Sequence, residues 1–166
     1  MPDAALMTTT RFTVREFREQ DRAAFIACQL DPVFSRHHLE SERGVKHASA
    51  VFDLFLAWKI DDPRQNHQYV IAPRDLPDAY VGNVGVRTRG LKKGQAELGI
   101  ELIPSCWGKG AATEIIEAVL PWAMDTLNVE SFVAETAIDN WAARRLAETA
   151  GLRLHRLGDK CIWSSG

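Results

Sequence analysis

The chain has 166 residues, of which 46% are hydrophobic and 25% charged, with a formal net charge of −2. That size and balance fit one globular domain with a sizeable core. Charges of both signs are mixed along the chain, which excludes the basic footprint of a nucleic-acid binder and a charged interaction tail. No apolar run is long enough to cross a bilayer, and M-P-D-A-A-L-M-T-T-T at the start lacks the basic and apolar regions of a signal peptide. A soluble cytoplasmic protein is expected, with residues 1–10 as a tail, residues 11–163 as one domain and residues 164–166 as a short second tail.

Residues 12–17 alternate apolar and polar (F-T-V-R-E-F), as a first strand does. Residues 21–30 carry Ala24, Phe25, Cys28 and Leu30 as a short helix would, and Asp31-Pro32 stops it. Val45, Ala48, Phe52, Phe55 and Leu56 recur at helical intervals within residues 41–60. Strands are expected over 69–72, 80–88 and 95–103, the last two joined by R-G-L-K-K-G as a hairpin. Residues 110–127 place Ile115, Ile116, Val119, Leu120 and Ala123 on one helix face, with Pro121 expected to kink or shorten it. A strand at 131–137, a helix at 140–150 closed by Gly151, and strands at 152–157 and 161–163 complete the chain. This order gives an α/β protein with a mixed sheet and helices on its faces, and it excludes a simple doubly wound sheet.

Cys28, Cys106 and Cys161 lie far apart with no C-x-x-C, so neither a disulfide framework nor a zinc site is expected. His37 and His38 are adjacent and point apart, which suits polar loop residues better than metal ligands.

The informative stretch is C-W-G-K-G-A-A-T-E, from Cys106 to Glu114. It follows a strand and opens a helix, whose first N–H groups have no internal partner and sit at the positive end of the helix dipole. Glycines there let an anion approach the backbone. The spacing alone leaves two readings open, an ordinary helix start and a phosphate cradle. It fails the P-loop pattern, because Lys109 is followed by Gly110 and Ala111. It fits the dinucleotide pattern poorly, because Thr113 stands at the third small position.

W-G-K-G-A-A resembles the acetyl-coenzyme A signature Q/R-x-x-G-x-G/A of the GNAT N-acetyltransferase superfamily, matching at Gly110 and Ala112 and departing at Trp107. The longer stretch A-E-L-G-I-E-L-I-P-S-C-W-G-K-G-A-A-T-E resembles the Rim-type branch, which includes enzymes that acetylate ribosomal-protein N-termini. D-N-W-A-A-R-R-L-A-E-T-A-G-L, from Asp139 to Leu152, resembles the branch's second motif. The resemblance covers residues 11–163. It implies the GNAT acyl-CoA N-acyltransferase fold, with about seven strands and four helices on both faces.

The resemblance also implies roles. A pantetheine arm would pair with backbone near Leu102 and Ile103, and amides of Trp107, Gly108, Lys109, Gly110, Ala111, Ala112 and Thr113 would hold the pyrophosphate. Asn140 would bond the arm or a water, or cap its helix, and both readings stay open. Arg144 would reach the phosphates or stand solvated. Glu97 is the candidate base, since an amine must be neutral to attack a thioester. Alternation puts Glu97, Gly99 and Glu101 on one face, which lines a pocket or faces solvent. Arg36, His37, His38, Glu40 and Glu42 are candidates for the acceptor side. The branch's serine and the wider family's tyrosine, proton donors to the leaving thiolate, are replaced by Ala143 and Ala147.

The implied function is direct acetyl transfer from acetyl-CoA to a primary amine, either a peptide or protein N-terminus or a small amine. The alternative is a catalytically weak acyl-CoA-binding sensor. No metal, nucleic acid or membrane partner is expected, and a homodimer is common in the branch.

Overall fold

A computed structural model describes residues 4–165. The elements run β1 (Met7–Thr8), β2 (Phe12–Glu16), α1 (Arg22–Leu30), α2 (Val45–Lys59), β3 (Asn66–Pro73), β4 (Gly82–Arg87), β5 (Gln95–Leu102), α3 (Ala111–Leu127), β6 (Ser131–Ala137), α4 (Trp141–Thr149), β7 (Arg153–Leu157) and β8 (Lys160–Ser164). They build one 8-stranded sheet in the order β1-β2-β3-β4-β5-β6-β8-β7. Every neighbouring pair is antiparallel except β5 with β6. The expected mixed sheet with helices on both faces is therefore the observed one.

Alternation along the strands divides the interior in two. Val14, Ile71, Val84, Val86 and Leu98 face α3, whose Ile115, Ile116, Val119 and Ala123 are buried against them. Val70 faces the other way, toward Phe17, Phe25, Phe52, Phe55 and Tyr80 under α1 and α2. Phe17 sits at the centre of that second core, with ring centroids 5.2 to 6.4 Å from Phe25, Phe52, Phe55 and Tyr80. Each such aromatic pair adds about 0.5–1.5 kcal/mol beyond its buried area.

A buried ion pair fixes the entry to α1. Arg15 and Asp21 are each 2% exposed, and two parallel bonds of 2.9 and 2.8 Å join them. Arg15 also donates to the carbonyls of Pro77 and Ala79, and Asp21 accepts from the Arg18 amide, so every charged edge is satisfied.

Three expectations change. Residues 1–10 and 164–166 were expected as tails, yet Met7–Thr8 pairs with Thr13 and Val14 as an edge strand, and β8 runs through Ser164 with the Ser165 amide donating to the Phe132 carbonyl; residues 1–3 and 166 lie outside the described residues. Thr9 Oγ1 and the Arg11 amide and Nε donate to the Glu114 carboxylate at 2.6 to 2.9 Å, tying this segment to the first turn of α3. Second, α3 runs through Pro121 to Leu127. The bond that proline cannot donate would end on Glu117, and both residues are exposed, so that carbonyl is open to solvent rather than orphaned in the core. Third, α2 begins at Val45, because Gly44 at φ +98° breaks the chain after a separate single turn at Glu40–Glu42.

Candidate active site

The parallel pair β5–β6 is joined only over Gln95↔Ser131, Ala96↔Phe132 and Glu97↔Val133. Beyond that point β5 continues to Leu102 and β6 to Ala137 without pairing to each other, so a slot opens inside the sheet. Ile103 donates its N–H to Val81 on the β4 side. Alternation therefore turns the backbone groups of Ile100 and Leu102 into the slot. A cleft of about 540 Å³ lies over it, lined by both strand ends, the turn after β5 and the start of α4.

The turn after β5 is glycine-dependent. Gly108 and Gly110 adopt φ +72° and +75°, a region that costs an L-residue roughly 1–2 kcal/mol. Gly110 is the N-cap of α3, and the first helical bond runs from the Glu114 amide to its carbonyl. The amides of Gly108, Lys109, Gly110, Ala111, Ala112 and Thr113 have no partner within the protein among the described residues. They point outward at the positive end of a seventeen-residue helix, an arrangement that could hold an anion as a cradle. The Trp107 indole folds back and donates Nε1–H to the Leu102 carbonyl at 2.8 Å, closing the cradle against the end of β5.

The sequence-derived candidates divide. Leu102, Trp107, Gly108, Gly110, Ala111, Ala112, Thr113 and Asn140 line the cleft. Asn140 caps α4, accepting from the Ala143 amide at 3.1 Å through Oδ1, which leaves Nδ2 free. Lys109 is exposed on the turn and does not line the cleft. Ile103 is turned away: Val81 takes its amide, the Cys106 amide takes its carbonyl, and its side chain packs toward the second core. Arg144 stacks over Trp141 at 4.2 Å and donates to the Ile138 carbonyl, outside the cleft. Arg145, one residue on, lines the cleft instead.

Glu97 also lies apart. It stands where β5 and β6 are still paired, and its carboxylate is bound by Arg87 at 2.9 Å. Gly99 makes room for that arginine, since a Cβ there would lie 2.6 Å from Arg87 Nη2. Glu101, on the same face and further along, does reach the cleft. Its Oε2 accepts from Gln29 Nε2 at 2.7 Å and Asn83 Nδ2 at 3.3 Å, while Oε1 has no partner among the described residues. Asn83 also donates to the Tyr80 hydroxyl and accepts from Gln68, so α1, β3, β4 and β5 together orient one carboxylate. Burial, and then the Glu101 charge, push the Tyr80 phenol well above its ordinary value and the Cys28 thiol up to about 12. Both stay neutral and neither lines the cleft.

On the acceptor side, Arg36, His37, His38 and Glu42 line the cleft and Glu40 does not. The Arg36 guanidinium lies 5.5 Å over the Trp107 ring, and His37 Nδ1 meets Asp139 Oδ1 at 3.0 Å. The single turn Phe34–His37 thus spans the mouth from the cradle to the start of α4.

A carboxylate with one free oxygen, a strand edge without a partner strand and a nest of amides form an acyl-transfer constellation. Residues 11–153 match the family model described as an acetyltransferase (GNAT) domain, and the chain belongs to that family. The Bacillus subtilis (strain 168) protein YoaA, an uncharacterized N-acetyltransferase, is 27% identical over 162 residues, covering 97% of this chain and 90% of its own. A solved acetyltransferase from Agrobacterium tumefaciens superposes with a TM-score of 0.78 at 21% identity, over 99% of this chain and 95% of that one. RimL, the ribosomal L7/L12 alpha-N-protein acetyltransferase in complex with coenzyme A, superposes with a TM-score of 0.76 at 14% identity, over 97% of each chain. At these identities the two structures show a shared fold. The family assignment makes the protein an enzyme of the acetyltransferase class.

Proposed function

We propose that the protein transfers an acetyl group from acetyl-CoA directly to a primary amine, a peptide N-terminus or a small amine, as a Rim-type member of its family. The observation that carries this reading is the slot. Its unpaired β5 edge suits the amides of a pantetheine arm, and it ends at the partnerless amides of residues 108–113, which suit a diphosphate. Arg145 lines the same cleft and supplies positive charge for phosphate.

Glu101 is the base. Its free Oε1 takes the proton that an ammonium must lose before attack, directly or through one water. The backbone N–H of Ile100 or Leu102, pointing into the slot, stabilises the oxyanion that forms on the carbonyl. Among the described residues no tyrosine or serine lines the cleft; water suffices to return the proton to the departing thiolate, whose pKa near 8.5 makes it a tolerable leaving group. Glu42 and Glu101, on the acceptor side of the cleft, suit a cationic amine. Trp107 and the A-E-L-G-I-E-L run on β5 support the Rim-type reading.

Calorimetry with CoA on wild type and Gly110→Glu, together with thiol release against amine and peptide panels, tests the proposal. Wild type should bind CoA. The variant should lose at least tenfold in affinity, because strain at φ +75° and like charge act together. Equal affinity in the two proteins would refute the cradle.

A further inference from the structure

The cleft has a side chamber of about 90 Å³ on the α3–α4 face of the sheet. Ile100, Thr136, Ala143 and Leu146 line both spaces, so the two are continuous. Its inner wall is Leu98, Ile116, Ala134, Ala147, Ala150 and Leu152, all apolar. The polar side chains on its lining, Glu135 and Thr136, are shared with the cleft and mark its mouth. An apolar wall of this kind suits a hydrocarbon chain better than a polar or charged one.

Its position gives it a use. The chamber floor at Leu98 lies four residues back along β5 from Leu102, about 13 Å. That is where pairing with β6 stops and the slot ends. A thioester ligand anchored at the cradle and lying in the slot brings its acyl end there. The opposite face of the sheet at this level carries Glu97, Arg87 and Glu101 and offers no room for a chain. The acyl tail and the attacking amine are thus kept on opposite faces.

Size sets the chain length. An apolar cavity of about 150 Å³ takes the six carbons of benzene, so in proportion this chamber takes about three to four. Resting on the acyl-CoA reading above, we propose that the donor class is short-chain acyl-CoA, with propionyl and butyryl groups accepted and bound more tightly than acetyl. Acidic chains are disfavoured, because the apolar inner wall would bury a carboxylate with no cation among its lining residues, and Lys160 at the mouth is already paired with Glu135 at 3.9 Å. The transfer itself is the same for each chain. The amine nitrogen bonds to the thioester carbonyl carbon, and the C–S bond breaks with its electron pair leaving on sulfur. Glu101 takes the proton from nitrogen, and water protonates the thiolate.

Calorimetry with CoA, acetyl-, propionyl-, butyryl- and succinyl-CoA on the wild-type protein tests this. Each added methylene should tighten binding about fourfold, so butyryl-CoA should bind about fifteenfold tighter than acetyl-CoA, with succinyl-CoA weakest. Ala147→Val, which narrows the chamber, should bring the butyryl-to-acetyl ratio close to one. CoA and acetyl-CoA binding with butyryl-CoA equal to or weaker than acetyl-CoA would overturn the chamber and leave the cofactor reading standing. Failure of CoA itself to bind would overturn both. A folded Ala147→Val protein with the wild-type ratio would overturn the placement of the chain.

Discussion

Replacing Glu101 by glutamine separates charge from shape. The amide oxygen can keep both bonds from Gln29 and Asn83, which converge on Oε2, and the amide NH₂ then takes the place of Oε1 in the cleft. Two charge-assisted bonds become neutral ones, a loss of about 1–2 kcal/mol. For a domain of this size that lowers the melting temperature by roughly 2–8 °C. The base, however, is gone. General-base catalysis contributes typically about 10²–10⁴-fold, so kcat/KM at neutral pH should fall by that factor while CoA affinity stays within about twofold. Thiol release followed from acid to alkaline pH should show the acid limb of the wild-type profile flattened in Glu101→Gln. A variant within about threefold of wild type, with its acid limb intact, would refute the assignment of Glu101 as the base.

The buried pair of Arg15 and Asp21 predicts that Asp21→Asn destabilises the fold by about 3–5 kcal/mol, because it leaves a guanidinium charge buried at 2% exposure; urea unfolding measures this, and a loss under about 1 kcal/mol would contradict it. Burial, and then the Arg64 charge, hold the His67 imidazole below its ordinary value. The unfolded chain therefore takes up a proton before the folded one does. Stability should be full above about pH 6.5, fall below it and level off once the folded ring also protonates. Melting curves across this range should show a shallower fall for His67→Gln, and identical slopes would count against the assignment.

The strand, glycine turn and helix from Ala96 to Glu114 were legible because each step carries a local signal: alternation on β5, glycines where φ is positive, then an apolar helical period. The base was not. Alternation puts Glu97 and Glu101 on one face and cannot say where β6 leaves β5, and that divergence decides which carboxylate reaches the cleft. Arg144 and Arg145 differ by one helical step. The phase of α4 follows from Leu146, Ala147 and Ala150 packing on the core, which brings Arg145 to the cleft while Arg144 stacks on the exposed Trp141. The Gln29–Glu101–Asn83 network joins residues far apart in sequence, each an ordinary polar residue in isolation. The strand Met7–Thr8 is too short for a periodic signal and owes its order to a carboxylate more than a hundred residues away.

That carboxylate gives the amino-terminal segment a reach its position hides. Glu114 stands one residue past the run of free amides at the start of α3, and burial works against its charge. The hydrogen bonds from Thr9 and Arg11 prevail and hold it below the usual carboxylate range. At neutral pH the helix therefore begins with an anion already matched by the Arg11 cation, 2.7 Å away. A chain shortened past Arg11 would keep every residue of the cradle and still meet a diphosphate with a bare negative charge beside it. On the proposed reading, the grip on an anionic substrate is thus set in part by residues that never touch it.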